Sequence, residues 1–358
     1  MTKKKLLWRL PFLVFLIIGT IFIVRQQHSI PYQHDEGKVF GTFYHIVYQN
    51  DSSINEAILS ELAKVDSTLS MFNDASIISH INRGENVKTN EMFERVFTLA
   101  EEISGQTDGA FDVTVAPLVN AWGFGFKTGT SPSKASIDSL RSIVGYKKVT
   151  LADHHIRKTD PRVMLDFSAI AKGYGCDVVA RLLEKRGIKN YMVEIGGEVV
   201  ANGISEKRLP WKIGVIKPSD DSLNVEGTVM QVLNVKDRAM ATSGNYRNFY
   251  YRNGRKYAHT IDPSTGYPVQ HSILSATVLA KHCAEADAYA TAFMVMGMEK
   301  TKKVLEAHPE LMAYLIYSDH KGELQVWYSP SMEEKILNTE TTKQTATMAE
   351  RSGKETKK

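Results

Sequence analysis

A histidine stands directly before a turn in the second half of the chain. His259 opens the run 259–268, which reads H-T-I-D-P-S-T-G-Y-P. Pro263 fixes its own φ and biases Asp262 towards an extended conformation, while Gly266 supplies the freedom that a tight reversal needs. A rigid turn holds nearby groups in place, and an imidazole exchanges protons near neutral pH. His259 is therefore a candidate general base, with an ordinary strand histidine as the alternative.

An acid and an alcohol are spaced to share one face of a helix. Asp287 and Thr291 are four residues apart in a segment rich in alanine and methionine, and residues at this spacing are neighbours on a helix surface. Their oxygens are hard donors, which suit Mg²⁺ better than Zn²⁺. Such a pair also arises by chance, and Glu285 nearby could be the solvated member. A magnesium site and a solvated helix face are both open interpretations.

Glycine-rich segments offer places where a ligand could approach the backbone. Residues 108–125 combine glycines with aromatics, which would admit flat rings or form an aromatic corner. Residues 166–177 run from a strand end into a helix start, where free amides and Lys172 favour an anion such as a pyrophosphate. This segment contains neither a Walker loop nor a G-x-G-x-x-G motif.

Two shorter segments carry weaker signals of the same kind. Residues 194–198 read E-I-G-G-E after a predicted strand, which indicates close backbone approach, with a β-bulge or a tight turn as the alternative. Within 241–248, Arg247 or the Ser243 hydroxyl could reach a phosphate, although a surface turn explains the same pattern.

Hydrophobic spacing predicts the elements that must position these residues. Strands are predicted at 39–48, 191–195, 212–216, 225–234, 273–280 and 313–317. Helices are predicted at 54–69, 91–104, 133–144, 177–185 and 284–296, with Asp51, Ser52 or Ser53 as the N-cap of the first. Helices and strands are mixed without a strict βαβ rhythm, which predicts an α+β domain.

The composition is that of a globular chain, with 43% apolar and 23% charged residues among 358. Much of the net charge of +4 lies in lysines at the two ends. No basic stripe interleaved with aromatics is present, so we expect no nucleic-acid partner. Cys176 and Cys283 match no metal or redox spacing, which leaves two packed or surface thiols, or a disulfide between them.

The first 25 residues predict a membrane segment. Three lysines and Arg9 precede the uncharged run 10–24, and a positive flank before an apolar run is an export signal or a signal anchor. Counted from Leu6, the run is just long enough to span a bilayer if Arg9 snorkels. Because no small-x-small cleavage site follows, we expect an uncleaved anchor with the rest of the chain outside the inner membrane. A cleaved signal peptide is the alternative.

Composition also sets the other boundaries. Residues 26–37 are predicted to be a polar linker, and residues 38–338 a single domain. Residues 339–358 are almost entirely polar and predict a disordered tail.

Eight segments, taken in chain order, resemble the FAD:protein FMN transferase family, also called ApbE. They are 69–72 (L-S-M-F), 109–112 (G-A-F-D), 117–125, 166–177, 194–198, 242–247, 259–268 and 286–291 (A-D-A-Y-A-T). The match runs from Gly41 to about Gly297. It implies an α+β fold with a single large mixed α/β catalytic domain, ApbE/T-fold-like, behind an N-terminal membrane anchor.

The resemblance implies an exported transferase that binds FAD with Mg²⁺. It would transfer the FMN half of FAD to a Ser or Thr hydroxyl of a partner flavoprotein, through a phosphoester bond, and release AMP. Family acceptors carry a short Ser/Thr-Gly-Ala-Ser/Thr motif. They include subunits of Rnf-type complexes and of sodium-pumping NADH:quinone oxidoreductase. The implied location is the cell membrane, with the catalytic domain on the periplasmic side.

The resemblance also implies roles for individual residues. His259 would take the proton of the acceptor hydroxyl. Asp287, Thr291 and the main-chain carbonyl of Ala169 would hold Mg²⁺. Where some relatives carry a second carboxylate, this chain has Ala290, so water or a backbone oxygen would complete the metal's ligands.

Positions that line FAD in the family correspond here to a set of eight residues. They are Phe40, Phe72, Ala110, Phe111, Asp112, Asp166, Lys172 and Ile261. Phe40 stands where relatives usually have methionine, and Phe72 where they have tyrosine. Both side chains can still pack on a flavin or an adenine.

Two other functions use parts of the same pattern. A flavin-binding or flavin-storage protein without turnover would not need His259, nor the pair of Asp287 and Thr291. A Mg²⁺-dependent FAD pyrophosphatase would use the same site, with water replacing the acceptor hydroxyl. The sequence alone does not separate transfer from hydrolysis.

Overall fold

The computed structural model describes residues 11–20, 30–125, 132–218, 228–245, 249–252 and 255–337. The strands within these ranges are β1 Tyr32–Val39, β2 Thr42–Gln49, β3 Val149–Ala152, β4 His155–Lys158, β5 Tyr191–Ile195, β6 Glu198–Asn202, β7 Trp211–Ile216, β8 Val229–Val235, β9 Arg238–Gly244, β10 Phe249–Arg252, β11 Arg255–Ala258, β12 Ile273–Ala280, β13 Met312–Ser318 and β14 Leu324–Tyr328. The helices are α1 (residues 11–20), α2 Asn55–Leu69, α3 Ile77–Asn82, α4 Glu91–Gln106, α5 Ala116–Ala121, α6 Lys134–Arg141, α7 Ala171–Lys185, α8 Cys283–Met296 and α9 Met298–Ala307. Short 3₁₀ helices occupy Tyr146–Lys148 and Pro330–Lys335.

An eight-stranded antiparallel sheet forms the centre of the fold. Its strand order is β1-β2-β5-β6-β9-β12-β13-β14. The pairs β3–β4, β7–β8 and β10–β11 form separate two-stranded ribbons. Antiparallel pairing suits a chain in which many strands are joined by short turns, so the predicted α+β class is confirmed.

Both faces of the sheet are covered, as β13 shows. Ala313 and Leu315 point into the core under α8, whereas Met312, Tyr314 and Ile316 point into the core under the β7–β8 ribbon. Successive strand residues face opposite sides. Burial on both sides therefore explains why this strand has no polar alternation.

Helices α7 and α8 cross at close range on the helical face of the sheet. A Cβ atom on Gly173 would lie 2.4 Å from the carbonyl oxygen of Cys283 and 2.9 Å from the Cα atom of Ala284. The N-cap residue of α8, His282, makes no side-chain capping hydrogen bond. Asp177 of α7 replaces it, since its carboxylate accepts hydrogen bonds from the N–H groups of Cys283 (2.8 Å) and Ala284 (3.0 Å).

The structure corrects the predicted start of the domain. Residues 26–37 were expected to form a linker, but β1 occupies Tyr32–Val39 and pairs with β2 along its whole length. The linker prediction is therefore wrong from Tyr32 onward. Charged and polar residues dominate β1 because it lies at the edge of the sheet, where polar side chains discourage pairing with other chains.

Helix boundaries show two further differences. The N-cap position of α2 is Ile54, one residue after the predicted caps, and its side chain makes no capping bond. Ser53 still contributes to the helix start, because its hydroxyl accepts a hydrogen bond from the N–H of Asn55 (3.2 Å) and donates one to Asp35 of the edge strand (2.8 Å). Helix α7 begins at Ala171 rather than at residue 177. Its first turns contain glycines, which lower helix propensity, so the sequence pattern did not predict them as helix. The structure retains these glycines in the helix because they allow close packing. The predicted bounds of β5 and β12 are confirmed at both ends.

The cysteines are packed free thiols that lie against each other. Cys176 and Cys283 are both free and buried. Their sulfurs contact the main-chain oxygens of Glu198 (3.3 Å) and Val199 (3.5 Å). Burial raises the pKa of both thiols, which makes them unreactive.

Most of the predicted anchor and all of the predicted tail lie outside the described residues. Of the segment 1–25, only α1 is described, and its residues are largely exposed. Across the described ranges, no helix is both long and apolar enough to cross a bilayer. Residues 338–358 are not among those described.

Candidate functional site

A cavity of about 860 Å³ lies beside the start of α7. Its walls are the β1–β2 turn, the end of α2 with residues 70–74, and Ser168, Ala171 and Lys172. This volume is in the range of small-molecule sites, about 300–1,000 Å³. Three of the predicted flavin-lining residues, Phe40, Phe72 and Lys172, contribute to the wall.

The aromatic residues of this cavity are held differently. Phe40 and Gly41 form the two-residue turn between β1 and β2, with φ values of 51° and 73°. A non-glycine residue at such a φ costs about 1–2 kcal/mol. The Phe40 ring fits against α7 only because Gly175 has no side chain, since a Cβ there would lie 2.8 Å from a ring carbon. Phe72, by contrast, is 68% exposed at the cavity edge.

Three charged residues meet behind this cavity. Lys172 Nζ lies 3.2 Å from Glu198 Oε1 and 3.8 Å from Asp287 Oδ2. The side chains of Glu198 and Asp287 are 5% and 4% exposed, whereas that of Lys172 is 30% exposed. We refer to these three residues as the buried charge cluster. The main-chain N–H of Gly173 also donates a hydrogen bond to Asp287 Oδ2 (3.1 Å).

The cluster fixes the charge of the lysine. Burial alone would lower the pKa of Lys172, but Asp287 and then Glu198 raise it above its ordinary value. Burial raises the pKa of both carboxyl groups, and Lys172 opposes that shift in each. The lysine is therefore an ammonium ion that reaches from the cluster to the cavity wall.

Glu198 reaches the cluster through the tight turn between β5 and β6. Gly196 and Gly197 have φ values of 64° and 104°, which are conformations that glycine adopts at little cost. Ile195 and Glu198 pair across this turn. The predicted tight turn at residues 194–198 is confirmed. The sequence pattern did not indicate a separate role for Glu198.

Asp287 and Thr291 lie on α8, as predicted. The Thr291 hydroxyl is 3.0 Å from the Ser243 hydroxyl of β9, so Ser243 orients Thr291 rather than standing free for a phosphate. Arg247, the other phosphate candidate, lies outside the described residues. Ala169 is partly exposed, two residues before α7 begins.

The three predicted metal ligands all offer oxygen atoms. The carboxylate, hydroxyl and carbonyl oxygens of Asp287, Thr291 and Ala169 are hard donors that suit a divalent cation such as Mg²⁺. In the part of the chain that the structure describes, no group of three or more His, Cys, Asp or Glu residues could hold a metal. The fit to the predicted cation is one of donor type, since all three predicted ligands offer oxygen atoms.

The remaining predicted flavin-lining residues lie outside the cavity wall. Phe111 and Ile261 are 3% and 5% exposed, and their side chains pack in hydrophobic clusters. Ala110 is partly buried, and Asp166 is partly exposed. Asp166 accepts a hydrogen bond from the N–H of Ser168 (2.7 Å), which shapes the loop before α7.

Asp112 has a structural task that sequence reasoning missed. One carboxylate oxygen accepts hydrogen bonds from the N–H (2.8 Å) and hydroxyl (2.6 Å) of Thr114. The other accepts from the N–H of Tyr146 (2.8 Å). Asp112 thereby joins the loop after α4 to the segment after α6. An Asp followed two residues later by Thr is a recognisable signal for such a local bond.

His259 follows β11 and precedes the predicted turn. It is partly buried, and its ring lies 6.4 Å from that of Phe124 at 70°. The turn itself is held by Asp262, whose side chain accepts from the N–H of Ser264 (2.8 Å) and whose carbonyl accepts from the N–H of Gly266 (2.8 Å). Gly266 has φ +78°, as the tight reversal requires.

The aromatic segment 117–125 packs against this turn. Trp122 Nε1 donates a hydrogen bond to the Gly266 carbonyl (2.8 Å), and its ring lies 5.6 Å from Tyr257 and 5.7 Å from Tyr267. The aromatic corner that the sequence left as one interpretation is therefore present. It brings together two of the predicted motifs and fixes the segment that carries His259.

The sequence profile of the ApbE family matches residues 40–316, which is most of the chain. The chain belongs to the ApbE family. The family predicted from the eight motifs is thus confirmed.

Several relatives of the chain are FAD:protein FMN transferases. The chain is 37% identical over 297 residues to the FAD:protein FMN transferase of Vibrio cholerae serotype O1, a match that covers 80% of this chain and 88% of that protein. It is 38% identical over 303 residues to the FAD:protein FMN transferase of Haemophilus influenzae, covering 80% and 86%.

Solved structures of the family share the fold. The flavin transferase ApbE from Vibrio cholerae matches with a TM-score of 0.77 and 34% identity, over 85% of this chain and 99% of that one. The Pseudomonas stutzeri flavinyl transferase ApbE in its apo form matches with a TM-score of 0.75 and 28% identity, over 85% and 96%. The predicted mixed α/β fold is therefore confirmed as ApbE-like.

Proposed function

We propose that this chain is an FAD:protein FMN transferase. It transfers the FMN half of FAD to a Ser or Thr hydroxyl of a partner flavoprotein and releases AMP. The observation that carries this proposal is the cavity of about 860 Å³, with the Lys172 ammonium group in its wall and the buried carboxylates of Glu198 and Asp287 next to that group. Relatives named FAD:protein FMN transferase at 37–38% identity support the same activity.

Different side chains of the cavity would bind different parts of FAD. Phe40 and Phe72 offer apolar surface to the rings of the ligand. Lys172 presents a positive charge to the pyrophosphate, which carries two negative charges at neutral pH. Because Lys172 is held by two buried carboxylates, it is positioned before the ligand arrives and loses little freedom on binding.

Transfer forms one phosphorus–oxygen bond and breaks another. The acceptor hydroxyl attacks the phosphorus on the FMN side, AMP leaves with the bridging oxygen, and His259 takes the hydroxyl proton. Mg²⁺, held by Asp287, Thr291 and the carbonyl of Ala169, would supply positive charge to the phosphoryl oxygens as negative charge develops there. The turn packed on Trp122 fixes the backbone on which His259 is carried.

We further propose a membrane location and a class of acceptor. The positive flank and apolar run in residues 1–25 support an anchor with the catalytic domain on the periplasmic side. The acceptors would be flavoprotein subunits of Rnf or sodium-pumping NADH:quinone oxidoreductase complexes that carry the Ser/Thr-Gly-Ala-Ser/Thr motif. Sedimentation of the chain with the membrane fraction, and its cleavage by protease in spheroplasts, tests the location.

The activity test separates transfer from hydrolysis. The full-length chain is incubated with FAD, Mg²⁺ and a protein that carries the acceptor motif. A gain in acceptor mass equal to one FMN, with release of AMP, supports the transferase. Free FMN and AMP without an acceptor adduct would identify a pyrophosphatase, and bound FAD that stays intact would identify a flavin-binding protein.

His259→Ala tests the proposed base. We expect FAD binding, followed by flavin fluorescence, to change less than about threefold, whereas transfer falls by about 10²–10⁴-fold, the usual contribution of general-base catalysis. His320→Ala, an exposed histidine after β13, is the control. Unchanged transfer in His259→Ala removes this residue from the mechanism.

Asp287→Asn tests the metal face of α8. We expect the stimulation by Mg²⁺ to be lost, because the only buried carboxylate proposed as a ligand becomes neutral. Glu285→Gln is a matched control on the same helix, since residues two apart point to nearly opposite sides. If Glu285→Gln loses the Mg²⁺ response and Asp287→Asn keeps it, the helix face has been misread.

A further inference from the structure

We infer that Glu198 is a positioning residue that holds Lys172 off Asp287 and so keeps Asp287 available to the divalent cation. This inference rests on the proposed function, because it concerns the metal and the FAD of that reaction. The E-I-G-G-E turn would then do more than reverse the chain, because it places a carboxylate that balances the charge of Lys172.

The distances within the buried charge cluster support this role. Lys172 Nζ is nearer to Glu198 Oε1, at 3.2 Å, than to Asp287 Oδ2, at 3.8 Å. Only the Glu198 contact lies within hydrogen-bond range, and the Asp287 contact is an ion pair without a direct hydrogen bond. Glu198 therefore fixes the position of the ammonium group through a direct hydrogen bond, whereas Asp287 attracts it without one.

The second oxygen of Glu198 shows that burying this carboxylate is energetically costly. Glu198 Oε2 is buried and has no hydrogen-bond partner in the structure. A buried carboxylate oxygen without a partner is costly, so a residue that served only the turn would be better replaced by a neutral side chain. The charge of Glu198 is balanced by Lys172, and this pairing gives the carboxylate a reason to be buried.

The net charge of the buried charge cluster predicts how Glu198 affects the affinity for the divalent cation. Glu198, Asp287 and Lys172 together carry a net charge of about −1 when all are ionised. That net charge attracts a divalent cation to Asp287. With Glu198 neutral, Lys172 would have one anionic partner in the cluster, Asp287, and the cation would have to displace it.

The same count predicts opposite effects on the two ligands. Removing the charge of Glu198 weakens the binding of the cation. It also leaves Lys172 more positive towards the cavity, so the FAD pyrophosphate should bind at least as tightly when no metal is present. A merely structural role for Glu198 would impair both ligands together.

The test uses Glu198→Gln in the full-length chain, with Mn²⁺ and FAD as probes. We expect the dissociation constant for Mn²⁺, followed by electron paramagnetic resonance, to rise by about tenfold or more, the effect of one unit charge a few ångströms away in a partly buried site. FAD affinity in EDTA, followed by flavin fluorescence, should stay equal or increase. An unchanged Mn²⁺ affinity, or parallel losses of Mn²⁺ and FAD binding, would overturn the inference.

Glu194→Gln is the matched control. Glu194 lies at the other end of the same turn, where it accepts a hydrogen bond from the N–H of Gly197 (2.9 Å) and pairs with His45 at the surface (2.7 Å). Its variant should leave Mn²⁺ affinity within about twofold of wild type, because the pair is solvent-screened. Glu198→Asp, which retains the charge, should lie between Glu198→Gln and wild type. A Glu198→Asp as weak as Glu198→Gln would count against the charge argument.

Lys172→Gln approaches the cluster from the other side and serves if Glu198→Gln does not fold. Without the competing ammonium, Mn²⁺ should bind more tightly than to wild type, and weaker binding contradicts the inference. These readouts do not require turnover. A wild-type chain that bound no Mn²⁺ would remove the metal from the proposed function. One that bound Mn²⁺ with no shift in either variant would overturn this inference alone.

Discussion

Replacing Asp177 by alanine tests the contact that holds the start of α8 in place. Asp177 lies on α7 and is 6% exposed, and its carboxylate accepts the N–H groups of Cys283 and Ala284 at the start of α8. The residue at the N-cap position of α8 makes no side-chain capping bond. Asp177 is therefore a cap supplied from another helix, at a buried helix terminus where unpaired N–H groups are costly.

The expected loss is about 3 kcal/mol in the free energy of unfolding. Two hydrogen bonds to a charged group would contribute about 3–6 kcal/mol together. Burial opposes this gain, because it raises the pKa of Asp177 while the two amide bonds lower it. Allowing for that desolvation gives a net value near 3 kcal/mol, compared with about 1 kcal/mol for a typical exposed N-cap. Asp177→Asn retains one acceptor oxygen and should lose about half as much.

Urea unfolding of the full-length chain at pH 8, followed by circular dichroism, measures this loss. For a chain with an m-value of about 3 kcal/mol/M, the midpoint should fall by about 1 M. Asp138→Ala, which removes an exposed carboxylate from α6, is the control and should cost less than about 0.5 kcal/mol. A loss from Asp177→Ala no larger than that of the control would refute the capping argument.

Three further substitutions test packing, helix propensity and burial. Gly173→Ala should destabilise the chain by about 1–3 kcal/mol in thermal or urea unfolding, because its Cβ would lie 2.4 Å from the Cys283 carbonyl oxygen. Gly105→Ala, with no atom within 4 Å of the added Cβ, should instead stabilise by about 0.5–1 kcal/mol through helix propensity. Burial, and secondarily Asp112, raises the pKa of Glu101 from 4.5 to about 7, so the folded state binds this proton more tightly than the unfolded state. That contribution to stability is complete below pH 4.5 and is lost as the pH rises through 7. Glu101→Gln should therefore remove about 1–2 kcal/mol of the fall in stability between pH 4.5 and 8, measured by urea unfolding at both pH values; an identical pH dependence in wild type and variant would contradict this.

Local features of the fold were largely predictable from the sequence. The bounds of β5 and β12 follow from short runs of β-formers, and the reversal at Gly266 follows from turn chemistry. The placement of Asp287 and Thr291 on one helix needs only the helical period. Eight motifs in chain order were enough to predict the family, which the profile match over residues 40–316 confirms.

Other features depended on neighbours that are remote in the chain. The polar strand β1 gave no hydrophobic signal, because an edge strand is stabilised by pairing with β2 rather than by its own burial. The early start of α7 was hidden by Gly173 and Gly175, whose value lies in contacts with Cys283 and Phe40.

The sequence by itself determined which chemical groups the chain carries and which short segments are helix, strand or turn, because those preferences act between residues a few positions apart. Only the tertiary structure decided how the groups are charged and what they face. Lys172, Glu198 and Asp287 become one cluster where α7, α8 and the turn before β6 meet. Burial strengthens the interactions among them there, because the low dielectric of the interior makes nearby charges and unpaired polar atoms far more consequential than they are in water.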